Sequence, residues 1–188
     1  MSPIRPAGRV TLLLAWLIAS LVSAQEVALD DVTGPERWGA AGNVTRIESP
    51  ALGPLYFSEQ PDVEGLRAAQ ANGVMTVINV REPGEIDWDE ASAARELGLE
   101  YFNIPISRRS DTLDPDALAQ INAIIDARQG QSVLLHCASG NRAAAWFATH
   151  LAEERMLSEH DAIAIAERVG LTNESMRQRV ETYFETSQ

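Results

Sequence analysis

The sequence predicts a single α/β domain in which helices flank a mostly parallel central sheet. Two short runs, 74–80 and 132–136, are almost continuously apolar and rich in Val, Ile and Leu, as in strands that are buried on both faces. Segments with helical periodicity lie between these runs and the other strand-like stretches. This alternation indicates parallel strands joined by helical crossovers. The length of 188 residues fits one domain.

The first 24 residues are expected to be a signal peptide rather than part of the fold. Arg5 and Arg9 precede an apolar run at 10–22, and the small residues Ser23 and Ala24 follow it, so cleavage is expected after Ala24. The run is too short for a stable transmembrane helix, although an uncleaved anchor is the alternative. The mature protein is therefore expected to be periplasmic or secreted, without a stable membrane anchor.

The charge of the chain restricts its partners. All 15 basic residues are arginine, and loss of Arg5 and Arg9 with the signal peptide changes the formal charge from −12 to −14. Such an acidic surface argues against nucleic acid and anionic membranes as partners, so any anionic substrate must be held by a local site. Cys137 is the only cysteine, which excludes an internal disulfide.

The domain itself is expected to span 50–188, after an extended and partly ordered lead-in at 25–49. Its first half contains the predicted elements of a strand–helix–strand unit, which are a strand at 54–61, a helix at 62–72 and a strand at 74–80. Asp62, after Pro61, begins the helix, and Gly73 ends it.

The second half continues the alternation of helices and strands. In order, the patterns predict a helix at 87–97, a strand at 99–106, a polar loop at 107–114, a helix at 115–129, a strand at 132–136 and three helices at 142–156, 158–169 and 173–187. Gly98 and Gly130 end helices, and Asp114 followed by Pro115 is typical of a helix start.

The stretch "SVLLHCASGNRAAA" (132–145) combines the end of a buried strand, a loop and the start of a helix. Ligands of parallel sheets bind beyond the carboxyl ends of the strands, and the N–H groups of such a loop attract anions. There Cys137 is favoured as a thiolate nucleophile, and the planar guanidinium of Arg142 fits two oxygens of a tetrahedral anion. The residues expected to surround a bound anion are His136, Ala138, Ser139, Gly140 and Asn141.

The pattern of His, Cys, Gly and Arg in this loop resembles the signature loop of cysteine-dependent protein tyrosine and dual-specificity phosphatases. The stretches "LYFSEQP", "GVMTVINVRE", "GLEYFNIPIS", "VLLHCASGNRAAAWF" and "SEHDAIAIAERVGL" resemble more closely the bacterial beta-lactamase hydrolase-like phosphatase family, over roughly 50–172. This resemblance implies hydrolysis of phosphate monoesters through a phosphocysteine intermediate, without a metal or cofactor. The substrate would be a phosphorylated protein or a small phosphoester.

Two departures from the phosphatase pattern leave alternatives open. Four residues separate Cys137 from Arg142, where phosphatases have five, and four is the spacing of rhodanese sulfurtransferases. A rhodanese-like enzyme would carry a persulfide on Cys137 and take a sulfur donor, although the helices predicted after Arg142 argue against that family. Ala143 replaces the usual Ser or Thr, so slower turnover is expected. A third possibility is a non-catalytic module that binds an anion or a partner.

The resemblance also implies an aspartate general acid on a loop over the site. Ser107 stands where dual-specificity phosphatases place it, and Asp111 and Asp114 follow. Because Asp114 is already expected to cap a helix, Asp111 is favoured as the acid. Arg81, at the end of the strand at 74–80, is expected either to line the site or to fix the loop by a salt bridge.

Overall fold

The computed structural model describes residues 32–39, 42–49 and 52–187, so the expected signal peptide lies outside the described residues. The six strands are β1 (Val32–Arg37), β2 (Asn43–Ser49), β3 (Gly53–Ser58), β4 (Val74–Asn79), β5 (Glu100–Asn103) and β6 (Ser132–His136). The six helices are α1 (Val63–Ala71), α2 (Glu90–Glu96), α3 (Pro115–Asp126), α4 (Asn141–Glu153), α5 (Glu159–Val169) and α6 (Glu174–Thr186).

The strands form one sheet in the order β1-β2-β3-β6-β4-β5. Strands β3, β6, β4 and β5 are parallel, whereas β1 and β2 extend the sheet in antiparallel fashion. His136, the last residue of β6, lies opposite Ser58 of β3 on one side and Asn79 of β4 on the other. Three parallel strands therefore end together, and the loop after β6 leaves from the middle of that edge. The predicted mostly parallel fold is confirmed.

Strands β1 and β2 lie within the segment 25–49 that was expected to be only a lead-in, so the sheet begins before residue 50. β2 pairs with β3 from Val44 to Ser49, and Val44 and Ile47 are buried there. β1 is exposed at five of its six positions and contains Gly34 and Pro35. Pairing with neighbouring strands, rather than burial of a whole face, stabilises β1 and β2. Neither strand therefore alternates regularly between apolar and polar residues.

Helices cover both faces of the sheet. On one face, α1 and α2 contribute Leu66 and Ala94 to a smaller core. On the other face, α3 to α6 pack in the larger core. Helix α4 lies inside this layer, where Trp146 and Phe147 are fully buried. Burying each of these side chains contributes on the order of 2 kcal/mol.

Small side chains let α4 approach the sheet closely. Ala143, Ala144 and Ala145 have no exposed surface. No helix among the described residues is long and apolar enough to cross a membrane.

Candidate active site

The loop between β6 and α4 is held at the carboxyl edge of the sheet by its own backbone. The His136 carbonyl accepts a hydrogen bond of 3.0 Å from the Val80 N–H, and Ser139 forms an isolated bridge with Glu59 beyond β3. Gly140 precedes α4 with a φ of +81°, a left-handed conformation that a Cβ would strain. No side chain caps α4 through this residue. The first N–H groups of the helix are thus left for an anion.

Cys137 begins this loop as a thiol with 1% exposure, and Arg142 lies in the first turn of α4 with 4%. Burial acts to lower the pKa of Arg142, but its hydrogen bonds with Glu85 and its electrostatic interaction with Cys137 raise it overall. The nucleophile and the guanidinium expected from the sequence therefore interact with each other. The structure brings together the two groups that a reaction at a tetrahedral anion requires.

Glu85 orients the Arg142 guanidinium. Its two carboxylate oxygens accept hydrogen bonds of 2.7 Å from Nη1 and Nη2 of Arg142, and Nη1 also donates to the Ile106 carbonyl at 3.0 Å. This fork of bonds holds the pKa of Glu85 at about 2, well below its ordinary value. Arg142 therefore enters the site in a fixed orientation, with its charge balanced by one carboxylate.

Arg81 holds the turn that presents Glu85. Its Nη1 donates to Gln60 Oε1 at 2.6 Å, its Nη2 donates to the Glu85 carbonyl, and its Nε lies 3.5 Å from the Glu85 carboxylate. Of the two roles expected for Arg81, the structure shows the salt bridge that fixes a loop. Its donors therefore link Gln60 to the turn at 81–85.

The His136 side chain lies behind the loop in a buried polar cluster. Nε2 of His136 is 3.2 Å from Glu90 Oε1, and both side chains are buried. Glu90 also accepts hydrogen bonds from Gln60, Asn79 and Tyr101. Burial acts to raise the pKa of Glu90, and its interactions with His136, Tyr101 and Gln60 lower it overall. The His136 side chain has no exposed surface and lies against Glu90, and its expected contact with a bound anion stays a prediction.

Asn141 ties the loop to the segment before α6. Its Oδ1 accepts hydrogen bonds from the N–H groups of Thr172 and Asn173, at 2.8 and 2.7 Å, and the residue is 8% exposed. The side chain that was expected near the anion is therefore used as a structural link. Its expected role at a bound anion stays a prediction. Ala138 and Ser139 remain exposed on the loop.

The loop at 107–114 carries both aspartates considered as the acid. Asp114 caps α3 by accepting a hydrogen bond of 3.0 Å from the Asp116 N–H, which confirms its predicted structural role. Asp111 is exposed and close enough to Arg179 for their charges to attract. Arg179 donates a hydrogen bond to the carbonyl of Thr112, the residue next to Asp111, and the role of Asp111 as the acid stays a prediction.

Two residues near the site were not predicted from the sequence. Glu85 lies in the turn after β4, at the same edge of the sheet as Cys137. Its position just after a predicted buried strand was the signal that could have placed it near the site. Arg179 adjoins an apolar stripe of α6 that includes Val180 and Tyr183, where a charged side chain is out of pattern. Within the described part of the chain, no cluster of His, Cys, Asp and Glu side chains is suited to a metal ion.

The fold is shared with known phosphatase structures. A cysteine-to-serine variant of TpbA from P. aeruginosa, crystallised with pTyr, is 18% identical, with a TM-score of 0.60 over 80% of this chain and 92% of its own. Tk-PTP in its active form is 22% identical, with a TM-score of 0.59 over 70% of this chain and 92% of its own. These similarities concern the fold alone.

A family model extends the comparison to the sequence. No curated protein sequence matches the chain significantly. Residues 52–153, more than half of the chain, match the model described as beta-lactamase hydrolase-like protein, phosphatase-like domain, and this range includes both Cys137 and Arg142. The match agrees with the resemblance noted in the sequence. The chain therefore belongs to the phosphatase-like domain family of beta-lactamase hydrolase-like proteins.

Proposed function

We propose that the protein is a cysteine-dependent phosphatase that hydrolyses phosphate monoesters through a phosphocysteine intermediate. The observation that carries the proposal is the pairing of Cys137 with an Arg142 guanidinium that Glu85 has already oriented. Membership of a phosphatase-like family and the shared fold support the same chemistry.

Substrate binding uses the backbone and one side chain. The N–H groups of the loop from Ala138 to Arg142 face the phosphate oxygens, together with the Arg142 guanidinium. These donors stand in place before the reaction begins, so they stabilise the charge of the transition state without reorganising. The buried pair with Glu85 keeps Arg142 from turning away.

In the first step, the Cys137 thiolate attacks phosphorus, an S–P bond forms and the P–O bond to the leaving group breaks. Asp111 gives its proton to the leaving oxygen. In the second step, water attacks phosphorus and loses a proton to the Asp111 carboxylate. The S–P bond breaks, and inorganic phosphate and the thiolate are released. No other reactant is required.

The proposed substrate is a phosphorylated protein or a small phosphoester, met in the periplasm or outside the cell. The expected signal peptide supports this location, and the acidic composition supports a substrate recognised at the loop rather than by the general surface. The pTyr bound to TpbA supports an aryl phosphate as the assay substrate.

A paired assay on the purified protein tests the proposal. An aryl phosphate and, separately, thiosulfate with cyanide are offered to the wild type and to Cys137→Ser. Phosphate release that disappears in Cys137→Ser is the expected result. The variant removes the nucleophile but exchanges only sulfur for oxygen, so its fold is readily compared by circular dichroism.

The four-residue spacing between Cys137 and Arg142 is the observation that favours a sulfurtransferase as the second candidate. Thiocyanate formation without phosphate release would contradict the phosphatase proposal in favour of a Cys137 persulfide. Neither product, with inorganic phosphate still bound, would instead indicate a non-catalytic anion-binding or partner-binding module.

A further inference from the structure

Arg179 is a buried cation that links the last helix to the site. It lies on α6, outside the family match, with 6% exposure. Its Nη2 donates a hydrogen bond of 3.0 Å to the Thr112 carbonyl, next to Asp111 in the loop at 107–114. The side chain thus reaches from α6 to the loop at 107–114.

The rest of the Arg179 guanidinium is unsatisfied. Nε and Nη1 are buried and have no hydrogen-bond partner among the described residues, and neither has the buried Oγ1 of Thr112. A buried charge is costly unless it is paired, and unsatisfied buried polar groups are rare in folded proteins. Three such atoms lie between α6 and the loop at 107–114, and leaving them unsatisfied lowers the stability of the fold.

The charges around Arg179 do not offset the free-energy cost of burying its guanidinium. Burial lowers the pKa of Arg179, and repulsion by Arg142 lowers it further, whereas Asp111 and Glu82 attract the guanidinium from a distance. Arg142 itself is balanced by the bidentate carboxylate of Glu85. Arg179 is therefore a positive charge that Arg142 repels and that has no bonded counter-ion among the described residues.

We propose that Arg179 sets the affinity of the loop between Cys137 and Arg142 for a phosphate dianion, acting as a buried positive charge that is compensated when the anion binds. The proposal rests on the proposed function, because it assumes that phosphate occupies this loop. Nε and Nη1 are screened from solvent, so Arg179 acts through its charge and through the loop that it holds. It is a positioning residue.

The test compares phosphate binding and stability in the same variants. Isothermal titration calorimetry with inorganic phosphate measures the dissociation constant of the wild type, Arg179→Met and Arg179→Lys. Arg179→Met keeps a long side chain but removes the charge, so phosphate should bind about tenfold more weakly. Arg179→Lys restores the charge and should recover part of the affinity. Without phosphate, Arg179→Met should melt at the wild-type temperature or above it, because an unpaired buried charge is gone.

Arg177→Met is the matched control, because Arg177 lies on the same helix and forms surface ion pairs with Glu167 and Glu181. It should leave the phosphate affinity unchanged. If Arg179→Met lowers the melting temperature and binds phosphate like the wild type, Arg179 only tethers the loop and the inference is wrong. If wild-type protein binds no phosphate, the inference also fails.

Turnover is measured separately and decides a different question. If phosphate binds in an Arg179-dependent manner but aryl phosphate is not hydrolysed, the inference stands and the proposed phosphatase function fails. If hydrolysis depends on Cys137 but phosphate affinity is independent of Arg179, the function stands and the inference fails.

Discussion

Replacing Glu85 by Gln should destabilise the protein in a manner that depends on pH. The pKa of Glu85 is lowered from 4.5 to about 2, mainly by its hydrogen bonds with Arg142. At about 1.4 kcal/mol per unit, this corresponds to about 3 kcal/mol, which partial solvent screening reduces to about 2 kcal/mol. Because the folded-state pKa lies below the unfolded one, this contribution is complete above pH 4.5 and is lost as the pH falls towards 2.

Urea unfolding followed by tryptophan fluorescence at pH 7 and pH 3 measures the effect. Glu85→Gln should lower the free energy of unfolding by about 2 kcal/mol at pH 7 and by about half of that at pH 3. Glu82→Gln removes a carboxylate from the same turn but not the fork around Arg142, so it should have little effect. A loss in Glu85→Gln that is equal at both pH values, or no loss at all, would refute the role assigned to the ion pair.

Three further predictions concern the acid, the loop and a buried histidine. Asp111→Asn should slow turnover of alkyl phosphates by about 100-fold and turnover of aryl phosphates with good leaving groups much less. Asp114→Asn keeps a helix cap and should change neither rate. The opposite pattern in steady-state kinetics would make Asp114 the acid. Asn141→Ala should lower the free energy of unfolding by about 2 kcal/mol, because two backbone N–H groups lose their acceptor; an unchanged urea midpoint would argue against the link. Burial lowers the pKa of His150 to about 4, so stability should fall as the pH drops from about 6.5 towards 4, and His150→Gln should flatten that slope in melting experiments.

Much of the fold could be predicted because its signals are local. The apolar runs at 74–80 and 132–136 form β4 and β6, because consecutive apolar residues require burial on both faces. β6 ends at His136, as predicted. Asp114 capped α3 because the cap depends on adjacent residues. β1 and β2 could not be predicted in the same way, since pairing with β3 stabilises them and leaves little periodicity in the sequence.

Which site residues could be predicted also depends on whether their contacts are local in the sequence. Cys137 and Arg142 were found because they lie in one short motif, whereas Glu85 reaches Arg142 across 57 positions of the chain and Arg179 comes from the last helix. Contacts of this kind depend on which turns and helices the fold brings together. The side chains of His136 and Asn141 were placed near the anion by their position in the motif, but their partners, Glu90 and the segment before α6, turn them inward.

The central claim is that Cys137 carries the phosphoryl group during turnover. Rapid quenching of the reaction with an aryl phosphate, followed by mass spectrometry of the digested protein, measures this directly. The peptide that contains Cys137 should gain the mass of one phosphoryl group within the first turnover, and the adduct should be absent from Cys137→Ser. A phosphoryl group on another residue, or a gain of one sulfur atom at Cys137 after treatment with thiosulfate without any phosphoryl adduct, would contradict the account.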